Sequence, residues 1–266
     1  DAIAHVLRCF EDGDITHVEG RVDPVADAET VETELMLSDL DSLERRVVPL
    51  RKKAQGGDKD AKEQVELMDL ALEALREGRP ARTVKVPKGA EEAFRVLNLL
   101  TSKPVLYVCN VEESAAGTGN EHSAKVFEMA AAQGAKAVVI SAAIESEVAQ
   151  LSDDEQREFL ETLGLEEPGL DRLIRAGYDL LGLITYFTAG PKEARAWTIT
   201  KGTKAPQAAG VIHSDFERGF IRAQTIGFDD FVALGEVKAK EAGKARDEGK
   251  EYVVQDGDVL LFRFNA

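Results

Sequence analysis

Cysteine is scarce in this chain: Cys9 and Cys109 are the two among 266 residues. Two thiols are too few for the disulfide framework of a small secreted domain, or for a four-thiolate zinc site within one chain. Each lies in an apolar, strand-like run, which fits free thiols in a reducing compartment, the cytoplasm. Long hydrophobic runs are missing as well. The longest, such as 137–144, are strand-sized, against the roughly 18 residues of a membrane span. No basic stretch leads into an apolar one at the start, so no secretory leader is read. His5, His17, His122 and His213 show no metal-ligand spacing, so no metal site is read. The 266 residues contain neither G-x-S-x-G nor G-x-x-x-x-G-K-[ST]. Gly117-Thr118-Gly119 superficially suits a phosphate nest, but Lys125 is at the wrong spacing and Glu112, Glu113 and Glu121 flank it; a plain loop is expected.

An excess of positive charge is also absent. The net charge of −16 excludes a simple nucleic-acid-coating protein. Hydrophobic residues at 44% and charged ones at 31% give an ordinary globular composition, long enough for two or three domains. The acidity is uneven: 183–266 is neutral, 27–88 carries −2, and 1–26 with 89–182 carries −14. Within the second part, Arg45 to Lys62 is +5, a basic spot on an acidic protein.

Residues 2–10 read as a buried strand, followed by a turn-rich stretch with Asp12-Gly13, Gly20 and Asp23-Pro24 as breakers. Met36, Leu40, Leu43, Val47 and Leu50 then repeat at 4-3-4-3, as do Ala61, Val65, Met68, Leu72 and Leu75 after Gly56-Gly57. Two such stripes joined by a turn predict an antiparallel helical hairpin over 27–88, with Asp27 as N-cap and a kink at Pro49. Helix over 90–100, strand over 105–109, helix over 123–133, strand over 137–141 and helices over 153–163 and 170–181 predict a parallel α/β domain, into which the hairpin is inserted. From 183 the pattern changes to alternating strands at 184–188 and 195–200 around Gly190-Pro191, a helix near 208–216, and strands at 221–226 and 259–264. That predicts a separate α+β module over 183–266.

Asn110-Val111-Glu112-Glu113 falls at the carboxyl end of the strand over 105–109, where open α/β sheets bind ligands. An Asn side chain can donate to N7 of adenine and accept from its 6-amino group. A carboxylate three residues on can accept from a base amino group. Ser141-Ala142-Ala143 ends the next strand, placed to close over the same base. Taken alone, N-x-x-E is equally a turn at a strand end. Arg51, Lys52, Lys53, Lys59 and Lys62 surround the Gly56-Gly57 turn and form a candidate contact for RNA phosphates. The macrodipole favours cations at the end of the first helix but not Lys59 and Lys62 at the start of the second.

Five segments carry a resemblance. HVLRCFEDGDITHVEGRVDPVADAETVETEL (5–35), KKAQGGDKDAK (52–62), LLTSKPVLYVCNVEE (99–113), GVIHSDFERGFIRAQTI (210–226) and YVVQDGDVLLFRFN (252–265) are similar to the YchF/Obg-like ATPase family, and the likeness extends over essentially the whole chain. The resemblance implies a P-loop nucleotide-hydrolase domain with an inserted coiled-coil hairpin, plus a C-terminal TGS domain of β-grasp fold. It implies a cytoplasmic, ribosome-associated enzyme hydrolysing ATP to ADP and phosphate with Mg²⁺ on the phosphates, ATP being preferred over GTP. The alternative is a non-enzymatic ribosome- or RNA-binding adaptor for which nucleotide is a structural ligand. In the wider class N-K-x-D reads guanine. Here Asn110 matches, Val111 stands for the Lys and Glu113 for the Asp, while Ser141 and Ala142 match the last base-side loop. The P-loop and switches of the family precede the strand that begins here at Ala2, a segment of about ninety residues by usual domain size. The catalytic and Mg²⁺-binding residues would lie there, and the 266 residues alone are expected to be inactive.

Overall fold

The computed structural model describes residues 1–12, 21–190 and 193–265. Gly13, Gly20 and Pro191 of the expected turns, and His17 among the histidines, lie outside the described residues. The chain divides into two compact units, Asp1–Gly177 and Tyr178–Ala266. Among the described residues no helix is long and apolar enough to cross a membrane.

In the first unit β1 (Ile3–Arg8) leads to α1 (Pro24–Gln55), α2 (Lys59–Arg76) and α3 (Glu91–Val96). Then come β2 (Val105–Asn110), α4 (Glu121–Ala132), β3 (Lys136–Ile140), α5 (Ala142–Val148), α6 (Asp153–Thr162) and α7 (Gly169–Leu181). The strands form a parallel sheet in the order β1-β2-β3, with Leu7 beside Cys109 and Cys109 beside Val139. The central strand is buried up to its last residue, Asn110, which explains its unbroken apolar run. Leu7, Tyr107 and Cys109 meet Val126 and Ala130 of α4 on one face of the sheet.

The heptad stripes pack as expected. Leu43 and Val47 of α1 are buried with Leu67, Met68, Ala71 and Leu72 of α2, and this core continues into Phe94, Leu97 and Leu99. The N-cap expectation is corrected. The N-cap is Asp23, whose Oδ1 accepts from the Ala26 N–H at 3.2 Å, with Pro24 in the first helical position where its missing N–H is harmless; Asp27 lies in the first turn. Pro49 lies inside α1, which continues past it to Gln55. The ring lies on the exposed side while Val47 packs inward, so burial of the stripe holds the helix through the lost hydrogen bond. The helix expected over 90–100 stops at Val96, because Asn98 takes a positive φ of 53°.

The second unit comprises β4 (Leu183–Ala189), β5 (Ala194–Thr200), α8 (Ala205–Ile212), α9 (Ser214–Arg218), β6 (Phe220–Gly227), α10 (Phe228–Glu241), β7 (Arg246–Glu248) and β8 (Asp258–Phe264). Its sheet runs β5-β4-β8-β6-β7, with β4 and β8 parallel and the other pairs antiparallel. Tyr186, Ile199, Phe220, Leu260 and Phe262 form its core with Ala208 and Ala209 of α8. The single helix expected over 208–216 is two, divided at His213, whose Nδ1 accepts from the Asp215 N–H at 3.1 Å. Neither α10 nor β7 shows in the pattern: Gly235 breaks the helical period with a φ of 70°, and β7 has three residues.

Candidate functional site

The parallel register sets the strand ends side by side: Arg8 of β1 is level with Asn110 of β2, and Asn110 with Ile140 of β3. All three chains therefore leave the sheet at one edge, and the expected base-side residues sit there. Asn110 Oδ1 accepts a hydrogen bond from the Ala142 N–H at 2.9 Å. Val111 N–H donates to the Ile140 carbonyl at 2.9 Å, extending the ladder one residue past the strand. The structure thus joins Asn110, Val111, Ser141 and Ala142 in one cluster.

The members of this cluster differ in character. Val111 is 2% exposed and belongs to the core beneath the sheet. Glu113 is exposed and opens a single 3-10 turn, Glu113–Ala115. Ser141 is 1% exposed, occupies the N-cap position of α5, and its Oγ has no hydrogen-bond partner among the described residues. Asn110 makes no hydrogen bond through Nδ2 among the described residues. One of the two lone pairs of the amide oxygen is engaged by a backbone N–H, which orients the side chain and leaves both N–H donors of Nδ2 free.

Asn120, which carried no expectation, organises the loop. Its Oδ1 accepts from the Ser123 N–H at 3.0 Å and its own N–H donates to Ser123 Oγ at 2.8 Å, closing a capping box on α4. Its Nδ2 donates to the Cys9 carbonyl at 2.6 Å and to Glu112 Oε2 at 2.8 Å. One side chain therefore ties the exit of β1 to the loop after β2. The N-x-x-S spacing before an apolar helix was the signal available for it. Gly117-Thr118-Gly119 is the loop leading into this cap, with Gly119 at a φ of 75°. On the other side, Glu145 accepts from the N–H groups of Gly169 at 2.7 Å and Leu170 at 3.1 Å, and Arg172 donates to the Ala116 carbonyl at 3.1 Å. The first turn of α7 is thereby fastened to α5 and to the same loop.

The basic cluster sits on the turn of the hairpin. Arg51, Lys52 and Lys53 end α1, Lys59 begins α2, Lys62 follows one turn on, and all five are exposed. Arg51 pairs with Asp69 at 2.5 Å, leaving the four lysines without an ion pair among the described residues. Asp58 caps α2, accepting from the Ala61 N–H at 3.0 Å. No group of three or more His, Cys, Asp or Glu side chains is placed to hold a metal among the described residues.

Residues 183–265 match the family model YchF-GTPase_C, described as a protein of unknown function (DUF933). "Ribosome-binding ATPase YchF" of Bacillus subtilis is 54% identical over 269 residues, which span all of this chain and 74% of the relative. The protein of the same name from Escherichia coli O157:H7 is 52% identical over all of this chain and 73% of its own length. Among solved structures, the YchF GTPase of Schizosaccharomyces pombe superposes with a TM-score of 0.84 at 34% identity, covering 99% of this chain and 72% of that one. With identity above one half across every residue and a matching fold, this chain belongs to the YchF family.

Proposed function

We propose that this chain provides the base-reading half, a ribosome-contacting hairpin and a C-terminal TGS module of a cytoplasmic, ribosome-associated nucleotide hydrolase that prefers ATP over GTP. The relatives named as ribosome-binding ATPases support the ribosome and the nucleotide as partners. On this reading residues 1–26 and 89–182 form the nucleotide domain, 27–88 the inserted helical domain and 183–266 the TGS domain. The observation that carries base reading is the bond from Ala142 N–H to Asn110 Oδ1, which fixes the amide so that Nδ2 is left to donate. Its natural acceptor is N7, which adenine and guanine share, so Asn110 selects a purine. Choice between the purines then falls to Glu113, whose carboxylate accepts from the adenine 6-amino group, and to the loop at Ser141. The unpartnered Ser141 Oγ supports a loop whose polar groups are completed by ligand.

Mg²⁺, when bound with the nucleotide, would supply neutralisation of the phosphate charge in this chemistry. The side chains described here do not converge on a metal, so no step is assigned to it. The 266 residues also contain no P-loop sequence. Backbone N–H groups and the lysine of that loop dominate phosphate affinity, so these residues alone should bind ATP no more tightly than about millimolar and release no phosphate.

Two measurements test the reading. Calorimetry on the 266-residue chain should detect no tight ATP binding; micromolar affinity would place the phosphates on these residues. With a chain of the relatives' full length, phosphate release should continue over many turnovers and rise on ribosomes. Release of no more than one phosphate per chain would turn the reading toward an adaptor that holds nucleotide as a structural ligand.

A further inference from the structure

A cleft of about 620 Å³ lies between α2 and residues 87–90. Leu67, Leu70, Pro87 and Ala90 give it an apolar floor. Glu63, Glu66 and Glu73 stand on its rim, all exposed. The spacing 63-66-67-70-73 lies along one face of a helix, so floor and rim are a single stripe of α2. At 1.5 Å per residue, Glu63 and Glu73 are about 15 Å apart along the axis.

The rim is balanced only in part from within, by Lys88 on the side of residues 87–90. Among the described residues Glu63, Glu66 and Glu73 make no ion pair, while Asp69 at the same cleft is taken by Arg51. Lys59 and Lys62 precede Glu63 and Glu66 by four residues, the weaker order for a helical pair, and neither pair closes. A helix face serving only for solvation would mix the signs of its charges. Here the α2 face carries one sign beside the apolar floor, and its three unpaired carboxylates outnumber the one lysine of the lining, Lys88.

We infer that this cleft docks a basic polypeptide segment of a partner protein. An apolar side chain of the segment enters between Leu67, Leu70, Pro87 and Ala90. Its flanking Lys or Arg groups reach Glu63 and Glu66 at one end and Glu73 at the other. Two to three helical turns span that distance, the reach of an amphipathic helix laid in a groove. RNA is disfavoured because its phosphates would face three unpaired carboxylates. The hairpin thus has two chemically opposite surfaces, a basic turn and an acidic, apolar flank. The inference goes beyond the nucleotide reading and does not depend on it.

Fluorescence anisotropy on the 266-residue chain tests it. The probe is a labelled peptide of about 14 residues, with leucines at i, i+3 or i+4, and i+7 and arginines between them. At about 0.15 M salt it should bind saturably. Replacing its leucines by serine, or its arginines by glutamate, should each weaken binding at least about ten-fold. Glu66→Lys with Glu73→Lys should weaken the parent peptide as much, and so should Leu70→Ser. Glu158→Lys with Glu161→Lys alters the same charge on α6, on exposed residues without ion pairs, and should leave binding unchanged. All variants alter exposed or half-buried positions, and circular dichroism checks that they fold. Equal weakening by the α6 pair would mean attraction to net charge alone and would overturn the inference. Displacement of the peptide by a polyuridine oligomer at equal charge would assign the cleft to RNA instead. Self-association in sedimentation velocity that vanishes with Glu66→Lys and Glu73→Lys would assign it to a second copy. Either result would overturn the peptide as occupant.

Discussion

Asp39 of α1 holds Thr101 twice: its Oδ2 accepts from the Thr101 N–H at 2.8 Å and from the Thr101 Oγ1 hydroxyl at 2.7 Å. Its Oδ1 accepts from the Leu100 N–H at 2.8 Å, and Thr101 Oγ1 in turn accepts from the Ala81 N–H at 3.1 Å. A carboxylate that is 4% exposed thereby joins the hairpin to the segment that enters β2. Asp39→Ala leaves two backbone donors and a hydroxyl without partners in a buried place, a loss of about 3 kcal/mol. Asp39→Asn, with one acceptor left, should recover only part of it. Urea unfolding should show the lowered midpoint with an unchanged slope; a midpoint shift under one tenth of the parent value would refute the role given to Asp39.

Much of the architecture was legible because its signals are periodic. The 4-3-4-3 stripes from Met36 to Leu75 could satisfy only a helix pair, and the apolar run ending at Asn110 could satisfy only a strand covered on both faces. What stayed hidden depends on partners distant in sequence. Asp39 sits within α1, and nothing near it announces that its acceptors serve residues 100 and 101. Glu145 and Asn120 likewise act across gaps, of 24 and 111 residues. Asp23-Pro24 read as a turn because a cap followed by proline and a loop breaker share the same letters. At the site, Asn110 was visible by position, but the engagement of its oxygen by Ala142 was not, since that bond spans 32 residues.

If Asn110 reads N7, then Asn110→Ala should weaken ATP and GTP equally in a chain of the relatives' length, by about 1–3 kcal/mol each, the scale of a base contact. Glu113→Asp should instead change their ratio in favour of GTP. Val111→Lys is a different test from what the pattern alone implies. Val111 is buried in the core, so a lysine there must thread its stem out to water or lower the stability. Nucleotide competition binding gives the ratios. A selective loss of ATP in Asn110→Ala would contradict N7 reading, and an unchanged ratio in Glu113→Asp would return the carboxylate to a turn residue.

Cys9 and Cys109 are both fully buried on the same side of the sheet. The hydrogen bond to Cys109, with burial, pushes the Cys9 thiol well above its usual range. A thiolate is the reactive form, so modification must wait for the sheet to open. Maleimide labelling of the native chain should be at least about a hundredfold slower than in denaturant, and it should follow the opening rate and not the reagent concentration. Rapid native labelling of Cys109, next to Asn110, would show that this strand end is open and would connect thiol chemistry with the base site.

The hairpin turn makes the remaining prediction. Of the seven basic residues from Arg45 to Lys62, three are engaged: Arg45 with Asp41 at 2.8 Å, Arg46 with the Leu97 carbonyl at 2.9 Å, and Arg51 with Asp69 at 2.5 Å. Lys52, Lys53, Lys59 and Lys62 are exposed and make no ion pair among the described residues, so they are the groups available to phosphates. Each neutralised phosphate contributes roughly 0.7–0.9 to the log-log slope of affinity against salt. Lys52→Gln with Lys53→Gln should therefore weaken ribosome co-sedimentation and flatten its salt dependence by about 1.5 units, if both lysines meet RNA. Glutamine avoids placing a negative charge in the last turn of α1, where the macrodipole would penalise it and confuse the result with fraying. Adding Lys59→Gln and Lys62→Gln should flatten the slope further, whereas Arg51→Gln should matter less because its guanidinium is held by Asp69. Nucleotide affinity should not move in any of them. If the fourfold variant pellets with ribosomes as the parent does across the whole salt series, the contact lies elsewhere. The exposed Arg263 on β8 of the second unit would then be the next cation to test.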